Sequence, residues 1–220
     1  MSIIDSLLQT IAPHTCIGCQ TEGSLLCADC TTGLPDSPPE CYFCHQPRPD
    51  CQTCASCFSR AGLHQVVVCT LYAGIAKDLV WRLKFGGAQA AAGALVLAIP
   101  ALNSPNLLII PVPTATGRVR RRGYDQAALL AQYLARRERL AYVPCLRRQG
   151  QSHQVGANRK ARLVQLRDAF SVVRPERVRG NSILIVDDVI TTGSTFEAAA
   201  RALYAAGAAQ VSALAFARSE

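Results

Sequence analysis

Residues 183–195, Ile-Leu-Ile-Val-Asp-Asp-Val-Ile-Thr-Thr-Gly-Ser-Thr, hold the densest chemistry in the chain. An apolar run leads into two adjacent carboxylates, Asp187 and Asp188. Hydroxyls grouped around a glycine follow: Thr191, Thr192, Gly193, Ser194 and Thr195. Adjacent carboxylates repel, so at the end of a buried strand they call for a diol or a hydrated cation such as Mg2+. Hydroxyls and a glycine at a helix N-terminus, where backbone amides point outward, make an anion cradle. Phosphate beside a vicinal diol describes a ribose 5-phosphate. A plain strand–turn–helix needs one hydroxyl cap rather than four. A receiver domain of two-component signalling opens with a similar acidic strand, but needs far more chain after it.

Cysteine is the second constellation. Eleven occur in 220 residues, nine of them between Cys16 and Cys57. Cys16/Cys19, Cys27/Cys30 and Cys41/Cys44 are CxxC pairs, and Cys-Gln-Thr-Cys-Ala-Ser-Cys offers Cys51, Cys54 and Cys57. Two intervening residues let both thiolates turn onto one ion, and four thiolates close a tetrahedral structural zinc site. We expect two Zn2+ sites: Cys16/Cys19 with Cys27/Cys30, and Cys41/Cys44 with Cys54/Cys57. Cys51 is then left over, although a Cys51/Cys54 pair has the same spacing. Disulfides or an iron–sulfur cluster would draw on the same residues. Cys69 and Cys145 lie in apolar, strand-like surroundings and read as small core residues.

These groups need elements to position them. Apolar runs predict strands over 66–72, 107–113, 168–173, 182–188 and 209–217. Helical spacing predicts helices over 73–87, 124–140 and 194–207, and 88–102 reads as a buried helix. Ser194 and Glu197 have capping-box spacing, and Gly207 follows the helix end. Strand–helix alternation with apolar strands implies an α/β fold, a mainly parallel sheet covered on both faces. Residues 14–60 are rich in Cys and Pro and cannot build a core of their own, so they need metal staples. We therefore expect an N-terminal helix and double zinc ribbon over 1–60, and the sheet domain over 61–220.

Residues 1–60 hold 2 Lys/Arg against 6 Asp/Glu, a balance of 2 − 6 = −4. Residues 118–179 hold 16 against 4, a balance of 16 − 4 = +12, almost all of it arginine. Guanidinium grips phosphate bidentately, so this half is expected to meet a nucleotide or nucleic acid. The first residues have an apolar helix face at Ile3, Ile4, Leu7, Leu8 and Ile11 but no basic n-region or cleavage site. No apolar run reaches the roughly 18–20 residues of a membrane span. A cytoplasmic protein is expected.

The 183–195 stretch resembles the signature of type I phosphoribosyltransferases, which bind phosphoribosyl pyrophosphate (PRPP). That resemblance implies that Asp187 and Asp188 form the catalytic pair facing the ribose hydroxyls, with Mg2+ accompanying PRPP. Thr191, Thr192, Gly193, Ser194 and Thr195 would hold the 5-phosphate. The chain as a whole resembles the competence protein F family, with an amidophosphoribosyltransferase-like type I domain behind paired zinc ribbons. The matching stretches are Trp-Arg-Leu-Lys-Phe-Gly-Gly (81–87) and residues 111–126. In the latter, Arg122, Gly123, Tyr124 and Gln126 fit the pattern, and Asp125 stands where asparagine is usual. Arg118, Arg121 and Arg122 are the implied pyrophosphate-loop contacts, with Lys84 a further candidate. Gln154, Arg162 and Phe170 fit another family stretch in which Gln165 replaces asparagine. His153 is given no role. No stretch beyond the loop reads as a base-binding hood, so the acceptor is unassigned. The resemblance implies handling of single-stranded DNA in natural transformation, an active phosphoribosyltransferase, or a PRPP-sensing regulator whose ribbons contact a protein partner.

Overall fold

The computed structural model describes residues 14–86, 88–102, 104, 106–149 and 169–219. The N-terminal helix face, His153, Gln154, Arg162 and Gln165 lie outside the described residues. Two short helices, α1 (Ala28–Thr32) and α2 (Ala55–Ala61), belong to the cysteine-rich segment. Strand β1 (Val66–Leu71) then leads to helices α3 (Gly74–Phe85) and α4 (Ala88–Ala98). Strand β2 (Leu107–Pro111), helices α5 (Thr116–Arg122) and α6 (Gln126–Glu138), and strands β3 (Ala141–Tyr142) and β4 (Leu146–Arg148) follow. The chain continues through β5 (Phe170–Val172), β6 (Ser182–Ile190), α7 (Ser194–Ala205) and β7 (Gln210–Arg218).

Five strands form a parallel sheet in the order β1-β7-β6-β2-β3. The alternation of β6 shows why it is apolar throughout. Leu184 and Val186 join the core beneath α3, α4 and α6, while Ile183 and Ile185 join the core beneath α7. Successive strand residues point to opposite faces, so only a strand covered on both sides reads as continuous hydrophobe. The connection from β2 through α5 and α6 to β3 runs one way along the sheet, and that from β6 through α7 to β7 runs the other. The crevice between β2 and β6 is therefore a topological switch point, where open α/β sheets place their ligands at the strands' carboxyl ends.

Two expectations change. Arg118–Arg122 were read as a loop, but Thr116–Arg122 form a short helix closed by Gly123 at φ +82°. The final helix has no capping box. Gly193, at φ +77°, occupies the N-cap and Ser194 is the first helical residue. The left-handed glycine turns the chain sharply out of β6, which places Ser194 one position too late to cap. A separate antiparallel pair, β4 with β5, was foreseen only on its second strand.

Candidate functional site

Asp187 and Asp188 lie where β2 departs from its neighbour. The β2–β6 ladder ends at Pro111 opposite Val186, and Val112 N–H still donates to the Val186 carbonyl at 2.9 Å. Beyond that point β6 keeps only β7, so its carboxylates border the open crevice. Strand alternation sends the two to opposite faces of the sheet. Asp188 is buried, and its Oδ2 lies 2.6 Å from Lys84 Nζ on α3. This ion pair is off-axis, leaving Asp188 Oδ2 without an aligned hydrogen bond among the described residues. Asp187 is half-buried on the α7 side and accepts from Asp188 N–H at 2.8 Å. Burial pushes its carboxyl well above the usual carboxylate range, and the Asp188 charge pushes the same way. Asp187 and Asp188 are the carboxylates here that could hold a divalent cation, whose charge would offset their mutual repulsion.

The loop after β6 is open to ligand. Thr191 and Thr192 are exposed, and Ser194 and Thr195 half-exposed. Thr192 Oγ1 lies 3.0 Å from Ser194 Oγ and accepts weakly from Ser194 N–H at 3.4 Å. Gly193 at the N-cap has no side chain to offer, so beyond the weak Ser194 contact the next amides of the first turn, Thr195 and Phe196, point outward where an anion could meet them.

The arginine helix α5 stands at the opposite wall, on the β2 exit. Asp125 organises that exit. Its carboxylate accepts from Thr114 N–H at 2.9 Å and Thr114 Oγ1 at 3.0 Å, and it caps α6 by accepting from Ala127 and Ala128 N–H at 3.0 and 3.2 Å. Three of these donors share Oδ1, and only Thr114 N–H uses Oδ2, where an asparagine amide would present a donor instead. Arg118 and Arg121 are exposed. Arg122 is half-buried, donates from Nη1 to Gln126 Oε1 at 2.7 Å, and lies over the Phe85 ring. The structure thus groups Arg118, Arg121 and Arg122 on one helix, and takes Lys84 instead to Asp188.

The cysteines fall into the two expected groups, Cys16/Cys19/Cys27/Cys30 and Cys41/Cys44/Cys54/Cys57, each with its four Sγ atoms within 4.8 Å of one another. Cys19 Sγ to Cys27 Sγ and Cys44 Sγ to Cys54 Sγ are both 3.6 Å. Zinc–sulfur bonds of about 2.3 Å imply tetrahedral edges of about 3.8 Å, so both groups could hold structural zinc. Crowded thiols also resist losing all their protons together. Neighbouring sulfurs push Cys30 up to about 12, and burial with neighbouring sulfurs pushes Cys57 up to about 12, which a dication would reverse. Cys51 stands outside both groups. Cys145 is buried, and half-buried Cys69 packs on the core, its thiol pushed up to about 12 by burial.

Sequence reasoning missed the contact between the second cysteine group and the phosphate-type loop. Tyr42 Oη donates a hydrogen bond to the Thr191 carbonyl. A Cβ on Gly193 would lie 3.2 Å from both the Tyr42 and Phe43 rings. Arg218 stacks on Tyr42 and donates to Glu40 Oε1 at 2.6 Å, while His45 Nδ1 lies 2.7 Å from the same oxygen. Aromatics inside the third CxxC were the only available signal, and nothing in the sequence says what they touch.

Residues 119–219 match the phosphoribosyl transferase domain family, which is the class that a parallel sheet with an acidic strand and open loop at its switch point represents. The chain belongs to the family of DNA utilization protein YhgH and competence protein F. It is 33% identical over 172 residues to DNA utilization protein YhgH of Escherichia coli O6:H1, covering 72% of this chain and 74% of the relative. Competence protein F of Haemophilus influenzae is 38% identical over 109 residues, 47% of this chain and 46% of the relative. Competence protein ComFC of Bacillus subtilis is 32% identical over 115 residues, 52% and 45%. Among solved structures, an allosteric regulatory enzyme of purine biosynthesis aligns over 56% of this chain and 24% of its own, at 20% identity and TM-score 0.39.

Proposed function

We propose that this chain binds PRPP with Mg2+ and works in DNA uptake by handling incoming single-stranded DNA. The observation that carries the reading is the β6 carboxylate pair running into an uncapped helix N-terminus at the switch point. Asp187 and Asp188 would face the ribose hydroxyls, and Thr191–Thr195 would take the 5-phosphate. Arg118, Arg121 and Arg122 would meet the diphosphate from the opposite wall. Asp187 and Asp188 would hold Mg2+, which would supply positive charge to offset that of the ligand. The names of the relatives, competence protein and DNA utilization protein, support the DNA role. The arginine-rich half supplies phosphate contacts whose binding should weaken steeply with salt. We place the work in the cytoplasm, and among the described residues no helix is long and apolar enough to cross a membrane. Residues 1–60 form the ribbon unit and 61–220 the transferase-like unit in this reading.

The same site suits an active transferase in which pyrophosphate leaves ribose C1 as an acceptor attacks. There the residues would orient PRPP, stabilise the leaving diphosphate and exclude water. The Tyr42–Thr191 contact favours a second reading, a PRPP sensor whose ribbons relay occupancy to a protein partner. A pyrophosphate-release assay with Mg2+–PRPP across purine, pyrimidine and amine acceptors separates these readings. The DNA-handling reading expects PRPP binding without release, together with salt-sensitive binding of single-stranded DNA. Acceptor-dependent release would replace it with an enzyme.

A further inference from the structure

We infer that Trp81, Phe85 and Arg122 form a stacking platform for the unpaired bases of a single-stranded nucleic acid, at the rim of the PRPP-type site. The inference rests on the DNA-handling reading and gives it a location. Trp81 and Phe85 are large apolar side chains left 57% and 52% exposed. Four residues apart on α3, they share one helix face. Their ring centroids are 5.7 Å apart, and Arg122 Cζ, from α5, lies 5.0 Å from the Phe85 centroid. The two rings are tilted by 46° and the Arg122 guanidinium lies over Phe85, so the three groups form one contiguous cluster with the exposed Trp81 at its edge.

That cluster is held in place. Arg122 is pinned by Gln126, and Tyr124 Oη donates to the Leu83 carbonyl at 2.6 Å, tying the α5–α6 turn to the end of α3. Lys84, between Leu83 and Phe85, reaches Asp188, so the platform adjoins the acidic strand end. Exposed Arg82, Arg118, Arg120 and Arg121 come from the same two helices. Aromatic faces flanked by cations suit a phosphate-linked chain of bases, because every base has a π-face and every linkage a negative charge. A duplex hides its base faces, a lipid surface calls for a broader apolar face, and an acidic peptide has no use for the rings.

Trp81 is the only tryptophan in the chain, so its emission reports stacking directly. The test titrates oligodeoxythymidylate, about 20 nucleotides long, into the full zinc-loaded protein. Trp81 emission and the anisotropy of a labelled copy of the oligonucleotide are followed together. Quenching that tracks anisotropy is expected. Trp81→Ala and Phe85→Ala should each weaken binding about tenfold, with the salt slope unchanged in both and Mg2+–PRPP affinity unchanged in Trp81→Ala, and Trp81→Phe should retain most of the affinity. Binding by anisotropy with no change in emission and no loss in the Ala variants overturns the platform and leaves the DNA reading standing. No binding by either signal overturns both. Emission that is blue-shifted from the start and indifferent to DNA also overturns the platform, since another copy or segment then covers Trp81.

Discussion

The two cysteine groups are one device used twice. Cys16 N–H donates to Thr21 O and Cys41 N–H to Gln46 O, both at 2.8 Å. Gln20 and His45 follow in the left-handed region at φ 65° and 59°. Cys27 N–H donates to Cys16 Sγ at 3.4 Å, and Cys54 N–H to Cys41 Sγ at 3.5 Å. The groups differ in the two residues inside the leading CxxC. In the first these are Ile17 and Gly18, packed so closely that a Cβ on Gly18 would lie 2.7 Å from Ile75 at the start of α3. Leu25 and Leu26 extend that packing into the core around α3 and α4. In the second they are Tyr42 and Phe43, which touch the loop after β6. The knuckle supplies a rigid turn, and its two inner residues decide whether it packs on a helix or on the loop after β6.

Breaking each metal group in turn should separate these roles most widely. Cys19 and Cys44 are the exposed members of their groups. Cys19→Ser and Cys44→Ser should each lower bound zinc and melting temperature. Only Cys44→Ser should weaken Mg2+–PRPP binding by about tenfold or more, about 1.4 kcal/mol, read by calorimetry beside metal analysis. Equal losses in both variants would erase the distinction.

Gly193→Ala tests the loop side of the contact. A side chain in the left-handed region costs roughly 1–2 kcal/mol, and the added Cβ would press on the Tyr42 and Phe43 rings at 3.2 Å. Denaturant unfolding should show a loss at or above that range, with PRPP affinity falling too. A smaller and sharper probe is Tyr42→Phe. It removes the donor to Thr191, worth about 1 kcal/mol or about fivefold in PRPP affinity, with zinc content unchanged.

The smallest effect concerns Asp187. Its folded-state pKa is raised by burial and by Asp188, so the native state holds the proton more tightly than the unfolded one. Stability is therefore lost as pH rises from the unfolded carboxylate value, about 3.9, through the folded value, and the cost is fully present above it. Asp187→Asn removes that cost. Near neutral pH its melting temperature should rise by about 2–4 °C for each kcal/mol relieved, and the gain should vanish below about pH 4. A variant less stable than wild type near neutrality would contradict this sign.

Where interactions are local, the sequence was enough. CxxC spacing specified both cysteine groups, and continuous hydrophobicity up to Asp187 specified a central strand covered on both faces. The glycine after two threonines marked the loop. Contacts between distant residues left no local trace. Tyr42 and Thr191 are 149 positions apart, and nothing in either neighbourhood names the other. Lys84 carries no mark that it pairs with Asp188 rather than a phosphate. The arginines of 118–122 read as a pyrophosphate loop rather than a helix because α5 has no buried residue to give it a periodic stripe. Trp81 and Phe85 read as ordinary helix residues until α5 brings Arg122 against them.

Every proposed role above depends on PRPP binding at the β6 aspartates and the loop after them. Titration calorimetry of Mg2+–PRPP into the zinc-loaded protein, beside the Asp187→Asn/Asp188→Asn double variant, tests it most directly. Saturable binding by the wild type and a loss of about a hundredfold or more in the variant, about 2.7 kcal/mol, are expected. No binding by the wild type, or equal affinity in both, would contradict it.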